Sequence, residues 1–90
     1  METEKLYQVY VLQNAGKRFY IGLSEDVAVR LEQHNRGESK WTKSRGPWSL
    51  VRKSDWKTLG DARKLETRLK KQKGGRGFYV ATGLQRSSAP

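Results

Sequence analysis

At the start of the chain, hydrophobic and polar positions follow the spacing of extended strands. Residues 6–13, LYQVYVLQ, alternate imperfectly and are rich in Val, Tyr and Leu, which predicts a mostly buried β-strand. Residues 18–23, RFYIGL, predict a second strand. Between them Asn14-Ala15-Gly16 predicts a turn, because Asn and Gly can adopt positive φ. Two apolar runs joined by a short Gly-containing loop are typical of a β-hairpin.

The spacing then becomes helical. Val27, Leu31 and His34 fall at i, i+4 and i+7, which predicts a helix with an apolar stripe. Ser24 is the predicted N-cap, since its hydroxyl can accept from a free N–H group of the first turn. Gly37 is the predicted end of the helix.

A third strand and a second helix follow a basic loop at 38–47. Residues 48–51, WSLV, predict a short strand at the centre of the sheet, and Trp48 and Trp56 beside it are predicted core residues. A second helix is predicted for 58–73 from four apolar residues spaced 3, 3 and 4 apart: Leu59, Ala62, Leu65 and Leu69. The order ββαβα predicts an α+β fold in which a small three-stranded antiparallel sheet is flanked by helices.

Composition limits the classes of protein and site. Ninety residues predict one domain, expected at 1–80, with a loose tail at 81–90. The chain has no Cys and one His, which excludes a disulfide framework, a thiolate nucleophile and a His-rich metal site. A metal would depend on carboxylate, water and substrate oxygens, the ligands that Mg²⁺ or Mn²⁺ prefers. No apolar run approaches the roughly 20 residues of a membrane helix, so a cytoplasmic protein is expected.

Charge is unevenly distributed along the chain. The net charge is +10, from 19 Lys and Arg against 9 Asp and Glu, and residues 36–76 supply all of it. Such a basic half predicts a surface that faces a polyanion, although a merely solubilising surface is the alternative interpretation. Five residues are the candidates for nucleic-acid binding: Lys40, Lys43 and Arg45 in the loop, and Arg63 and Lys70 on the second helix.

The order of motifs resembles the GIY-YIG nuclease family over residues 6–73. The resemblance depends on two triplets in the hairpin, an Arg and a His on the first helix, and an acidic residue on the second: Val9-Tyr10-Val11, Tyr20-Ile21-Gly22, Arg30, His34 and Glu66. Each triplet is weak alone, but the combination in this order is specific. The chain is most similar to small members that stand alone. Leu23 and Ser24 stand where the excision-repair branch has Lys, which argues against that branch.

This resemblance implies a metal-dependent endonuclease acting on DNA. Tyr10, Tyr20, Arg30 and His34 would be catalytic, Glu66 would bind a single Mg²⁺ or Mn²⁺ ion, and Gly22 would be structural in the site. The chemistry of the residues agrees, because a guanidinium fits phosphate oxygens and a phenol can accept a proton beside a cation. Either tyrosine could be the general base, and we favour Tyr10.

Two other functions are compatible with the same residues. One is a nucleic-acid-binding protein with an inactive nuclease centre. The other is a catalytic subunit whose protein partner recognises the substrate, or a homodimer. RNA is the alternative to DNA as the substrate.

Overall fold

The computed structural model describes residues 5–72, which form three strands and two helices. In chain order these are β1 (Gln8–Asn14), β2 (Phe19–Ser24), α1 (Val27–Asn35), β3 (Trp48–Lys53) and α2 (Leu59–Gln72). The predicted α+β fold and the ββαβα order are confirmed. Lys73, the expected end of the domain at residue 80 and the predicted tail at 81–90 lie outside the described residues.

The sheet is antiparallel, with strand order β2-β1-β3. The prediction that the third strand is central was wrong, because β1 occupies that position. Five successive residues of β1 are buried, Gln8 through Leu12, as a strand with neighbours on both sides requires. In β3 only Trp48 is buried and Leu50 is 36% exposed, which suits an edge strand.

The alternation of side chains along β1 divides the core into two halves. Val9 and Val11 pack with Ala62 and Leu69 of α2 on one face of the sheet. Tyr10 and Leu12 point to the opposite face and pack with Val27 of α1 and with Trp48. The most important consequence is that Tyr10 faces the helix that carries Arg30 and His34.

Helix α1 begins two residues later than predicted. Asp26 is the N-cap, and its carboxylate accepts from the Val29 N–H at 3.2 Å. The prediction of Ser24 was wrong because its Oγ instead accepts from the Asp26 N–H at 3.0 Å, forming a local turn before the helix. The predicted stop is confirmed, since Gly37 has φ +79° and its N–H donates to the His34 carbonyl at 3.2 Å.

Two further expectations about single residues differ from the structure. Trp48 is buried as predicted, but Trp56 is 54% exposed, because it lies after the edge strand rather than within the sheet. In the hairpin turn, the positive φ belongs to Lys17 (67°) rather than to Asn14 or Gly16. Across residues 5–72, neither helix combines the length and apolar character needed to cross a membrane.

Candidate active site

The aromatic residues singled out in the sequence come together on the α1 side of the sheet. The ring centroids of Tyr10 and Tyr20, on neighbouring strands, lie 6.3 Å apart. The centroid of the His34 ring on α1 lies 4.7 Å from that of Tyr20, in a T-shaped contact, and 5.9 Å from that of Tyr10, in a tilted one. Tyr10 and His34 are each 1% exposed, whereas Tyr20 is only partly buried. Tyr20 therefore lies between the buried pair and solvent.

A chain of hydrogen bonds runs from Tyr10 through His34 to Thr42. The Tyr10 hydroxyl lies 2.8 Å from Nε2 of His34, and Nδ1 of His34 lies 2.8 Å from the Thr42 Oγ1. The Thr42 hydroxyl donates to the Ser39 carbonyl at 3.4 Å, so its oxygen accepts the Nδ1–H of His34. This arrangement leaves Nε2 as the acceptor of the Tyr10 O–H.

Burial sets the protonation of both ends of this pair. It raises the pKa of Tyr10 to about 12, and the nearby Tyr20 adds to the increase while Arg30 opposes it. Burial also lowers the pKa of His34 below its usual 6.5, and the positive charge of Arg30 lowers it further. At neutral pH the phenol is therefore protonated and the imidazole is neutral. In this pair the Tyr10 hydroxyl is the proton donor and the unprotonated Nε2 of His34 is its acceptor.

Two charged side chains act on the Tyr10 hydroxyl from separate helices. Arg30 of α1 lowers the pKa of Tyr10, and its Nη1 donates to Oε1 of Gln33 at 2.9 Å, which fixes the guanidinium along the helix. Glu66 of α2 acts in the opposite direction, since its negative charge raises the pKa of Tyr10. The ring contacts and hydrogen bond join Tyr10, Tyr20 and His34, and the charges of Arg30 and Glu66 act on the same Tyr10 hydroxyl.

Glu66 is the candidate metal ligand, and its surroundings fit a loosely bound ion. Its side chain is 20% exposed, and its Oε2 lies 3.3 Å from Nζ of Lys70 one turn later. Such an ion pair contributes only a few tenths of a kcal/mol, about 0.2–0.5, so a stronger ligand can replace it. Within residues 5–72, no three His, Asp or Glu side chains form a group that could hold a metal. One carboxylate completed by water and phosphate is a donor set that Mg²⁺ accepts.

Gly22 meets Tyr10 directly across the strand pair. The two residues are partners in the β1–β2 register. A Cβ at Gly22 would lie 2.6 Å from the Tyr10 oxygen and 2.7 Å from Cζ, closer than side chains tolerate. The space that glycine leaves empty is therefore the space in which the phenol lies.

The five candidate nucleic-acid residues are in different situations. Lys40, Lys43 and Arg63 are exposed. Arg45 lies over the Trp41 ring, with its Cζ 4.6 Å from the centroid, and Nη1 donates to the Trp41 carbonyl. Lys70 pairs with Glu66 and lines a shallow cleft of about 340 Å³ beside the centre, together with Tyr20, Ile21 and Trp41.

Comparison with known proteins agrees with this geometry. The model of the GIY-YIG catalytic domain matches residues 6–78. The chain belongs to the GIY-YIG family. It is 31% identical over 72 residues to a UPF0213 protein of Nitratidesulfovibrio vulgaris, which covers 79% of this chain and 66% of that protein. It is 38% identical over 63 residues to a UPF0213 protein of Staphylococcus aureus, covering 69% and 77% respectively. No solved structure matches the chain.

GIY-YIG membership therefore indicates a nuclease, in a family whose members generally depend on divalent metals. The sequence does not predict Thr42 and Gln33, although both contact predicted residues of the candidate site. Gln33 could have been found, since it lies three residues after Arg30 on the same helix. Thr42 lies in a loop with no periodicity, so its burial depends on tertiary packing alone.

Proposed function

We propose that the protein is a metal-dependent endonuclease that hydrolyses phosphodiester bonds in DNA. The observation that carries this proposal is the buried chain Tyr10–His34–Thr42, in which a phenol donates to a neutral imidazole of fixed tautomer. A purely structural tyrosine does not need an imidazole held with its basic nitrogen toward the hydroxyl. The charges of Arg30 and Glu66 act on this hydroxyl as well.

In the proposed reaction, Tyr10 and His34 act together as the general base. The attacking water gives a proton to the Tyr10 oxygen while the Tyr10 proton passes to Nε2 of His34. The resulting hydroxide forms a new P–O bond while the P–O bond to the leaving alkoxide breaks. The alkoxide takes a proton from solvent, and the imidazolium of His34 later returns its proton to solvent, which restores the pair. A phenol whose pKa is about 12 is almost never ionised at neutral pH, so transfer to His34 avoids the need for a resting phenolate.

Arg30 and Tyr20 are proposed to position the phosphate. The guanidinium of Arg30 carries a permanent charge and a planar set of N–H donors that fits phosphoryl oxygens. Tyr20 lies between the buried pair and the open cleft, so its hydroxyl is suited to orient the phosphate or the attacking water. Both residues would stabilise a transition state in which charge spreads over the phosphoryl oxygens.

Glu66 is proposed to hold a single Mg²⁺ or Mn²⁺ ion, with water and phosphate as the other ligands. When bound, such an ion would supply positive charge for the phosphoryl and leaving oxygens. The carboxylate must leave Lys70 for this purpose, and Lys70 is then available to the substrate. Lys40, Lys43, Arg45 and Arg63 are the proposed contacts to neighbouring phosphates.

Nicking of supercoiled plasmid tests the proposal. We expect nicking with Mg²⁺ or Mn²⁺, none with a chelator, and none for Glu66→Ala. Asp61→Ala is the matched control, because Asp61 is an exposed carboxylate on the first turn of the same helix. Activity retained in Glu66→Ala would contradict its role as metal ligand. Binding to plasmid without nicking under any metal would favour a nucleic-acid-binding protein whose nuclease centre is inactive.

A further inference from the structure

A second cationic site lies on the opposite face of the sheet from Tyr10. A groove of about 370 Å³ runs between β3 and α2, and we call it the β3–α2 groove. Val11 forms its floor and pairs with Arg52 of β3 across the sheet. Since side chains alternate along β1, Val11 points away from the face on which Tyr10 lies. The groove is therefore separate from the nuclease centre.

Basic residues line one side of this groove. Four of them belong to its described lining, Arg52, Lys53, Lys57 and Arg68, although Lys53 is the register partner of Tyr10, so that its side chain points to the opposite face. Among the lining residues that the structure describes, the acidic one is Asp55, whose Oδ1 lies 3.1 Å from Nζ of Lys57. In the described part of the chain, Arg52, Lys53 and Arg68 form no ion pair. On the groove side, Arg52 and Arg68 thus carry two positive charges that no acidic side chain of the described residues neutralises.

The groove has an apolar floor and a charged rim. Val9, Val11 and Leu69 on the floor are each at most 3% exposed, and Leu65 beside them is partly buried. The heads of Arg52 and Arg68 are exposed. Because the charges that no described acidic side chain neutralises in this groove are both positive, charge complementarity favours a polyanion as its occupant.

Helix α2 connects the groove to the nuclease centre. At 3.6 residues per turn, Arg68 projects about 200° around the helix from Glu66, on the other side. The surface between them carries four more basic residues, at about 40° to 160° around the helix from Glu66: Lys70, Arg63, Lys71 and Lys64. The cations of α2 therefore form a continuous path around the helix from the centre to the groove.

We propose that the β3–α2 groove binds the phosphodiester backbone of the nucleic acid that is being cut, at a segment distant from the scissile bond. This inference rests on the proposed nuclease function. The backbone would leave the centre near Lys70, cross the exposed surface of α2 and enter the groove beside Arg68 and Arg52. Contacts of this kind fix the register of the substrate without selecting its sequence.

The salt dependence of binding tests the groove. The double variant Arg52→Gln/Arg68→Gln removes two of its cations. Lys5→Gln/Arg36→Gln is the control, since it removes the same charge from side chains that pair with acidic residues elsewhere. Affinity is measured by fluorescence anisotropy with a chelator present, on a duplex of about 30 bp, roughly 100 Å long at 3.4 Å per bp. Thermal unfolding checks that each variant is folded.

We expect the slope of log K against log salt to fall by about 2 in the groove variant, since each phosphate contact contributes about 0.9. The control should keep the wild-type slope.

Equal slopes for both double variants on the duplex would overturn the groove proposal, while metal-dependent nicking would still support the nuclease. If the wild type and the control bind a labelled glutamate-rich peptide and the groove variant alone does not, the occupant is an acidic polypeptide, and this result would also overturn the proposal. Failure of the wild-type protein to bind or cut any nucleic acid would overturn both proposals.

Discussion

A Cβ atom at Gly22 would lie 2.6 Å from the hydroxyl oxygen of Tyr10, its partner across the β1–β2 pair. The same hydroxyl lies 2.8 Å from Nε2 of His34 on the α1 side of the sheet. Because Gly22 of β2 has no side chain, the phenol of Tyr10 on β1 can reach the imidazole of His34. Gly22 of the second triplet is therefore required by the position of the Tyr10 ring of the first triplet.

Gly22→Ala should therefore damage both stability and cleavage. The methyl group must displace the buried ring, and overpacking of this kind costs about 1–3 kcal/mol. Because the hydroxyl then moves away from Nε2 of His34, we expect slower nicking even at temperatures where the variant is folded. Denaturant unfolding and initial rates of nicking measure the two effects.

Gly60→Ala is the matched control for that substitution. A Cβ at Gly60 has no neighbour within 4 Å, and the residue lies in the first turn of α2. Alanine is favoured over glycine in a helix by up to about 1 kcal/mol, so this variant should be slightly more stable and equally active. Equal stability losses in both variants would contradict the steric account of Gly22.

Thr42 is expected to act as a positioning residue for His34. Thr42→Val keeps the shape of the side chain but leaves the Nδ1–H of His34 unpaired, which costs about 1–3 kcal/mol of stability in a buried site. The imidazole can then adopt the tautomer that places a proton on Nε2, where it blocks acceptance from Tyr10. Loss of the orienting partner of a metal-binding His typically costs about 10–100-fold in affinity or activity, and we expect a decrease in the rate of that order here.

Thr42→Ser should restore most of the activity, because it keeps the hydroxyl. A purely structural role would instead lower stability without changing the imidazole ¹⁵N shifts that report the tautomer. Unchanged shifts and an unchanged rate in folded Thr42→Val would show that Thr42 does not orient His34.

The two tyrosines should differ in their effects on the rate. Only the Tyr10 hydroxyl bonds to His34, so Tyr10→Phe should lower kcat by about 10²–10⁴, the range for general-base catalysis. Tyr20→Phe should have a smaller effect, because Tyr20 contacts His34 through its ring. Single-turnover cleavage by each variant measures the difference. Wild-type rates in both would exclude the proposed mechanism.

Acidification should inactivate the protein by protonating His34. Burial and Arg30 lower the pKa of His34 from 6.5, so the acid limb of kcat/KM should have its midpoint below about 6.5. As the pH falls, His34 is protonated at a higher pH in the unfolded chain than in the folded one, because the fold lowers its pKa. The His34 contribution to stability is therefore complete above about pH 6.5 and is lost as the pH falls through the lowered value in the fold.

His34 is the single histidine of the chain, so an NMR titration of its imidazole reports this pKa without overlap. A midpoint at or above about 6.5 in the folded protein would contradict the electrostatic account of the site. The unfolding free energy of His34→Gln should depend less on pH in this window than that of the wild type.

The sequence predicts the local elements well because their signals are local. The hairpin follows from two apolar runs around a turn, and the spacing of Val27, Leu31 and His34 predicts α1. The centre of the sheet was assigned to the wrong strand because WSLV is as apolar as β1, and strand order depends on contacts between distant residues. Trp56 was misplaced for the same reason, since an aromatic residue beside a strand does not reveal which side is solvated.

The site was predictable only as far as its residue types. Arg30 and His34 share a helix face by their spacing, but that spacing does not show that His34 is buried and bonded to Tyr10. Thr42 gave no signal, because a buried hydroxyl in an aperiodic loop resembles any exposed one in sequence. These contacts arise only when the loop folds back over α1.

The contact of Thr42 with His34 also limits where the chain tolerates a change of length. The connection at 36–47 carries basic side chains, yet its middle is anchored in the interior at Thr42, whose carbonyl accepts from the Trp48 indole at 3.1 Å. A DNA-recognition domain inserted there would break the hydrogen bond between Thr42 and the imidazole of His34. The hairpin turn at 15–18 is wholly exposed, so a DNA-recognition domain spliced into it should leave the proton acceptor intact.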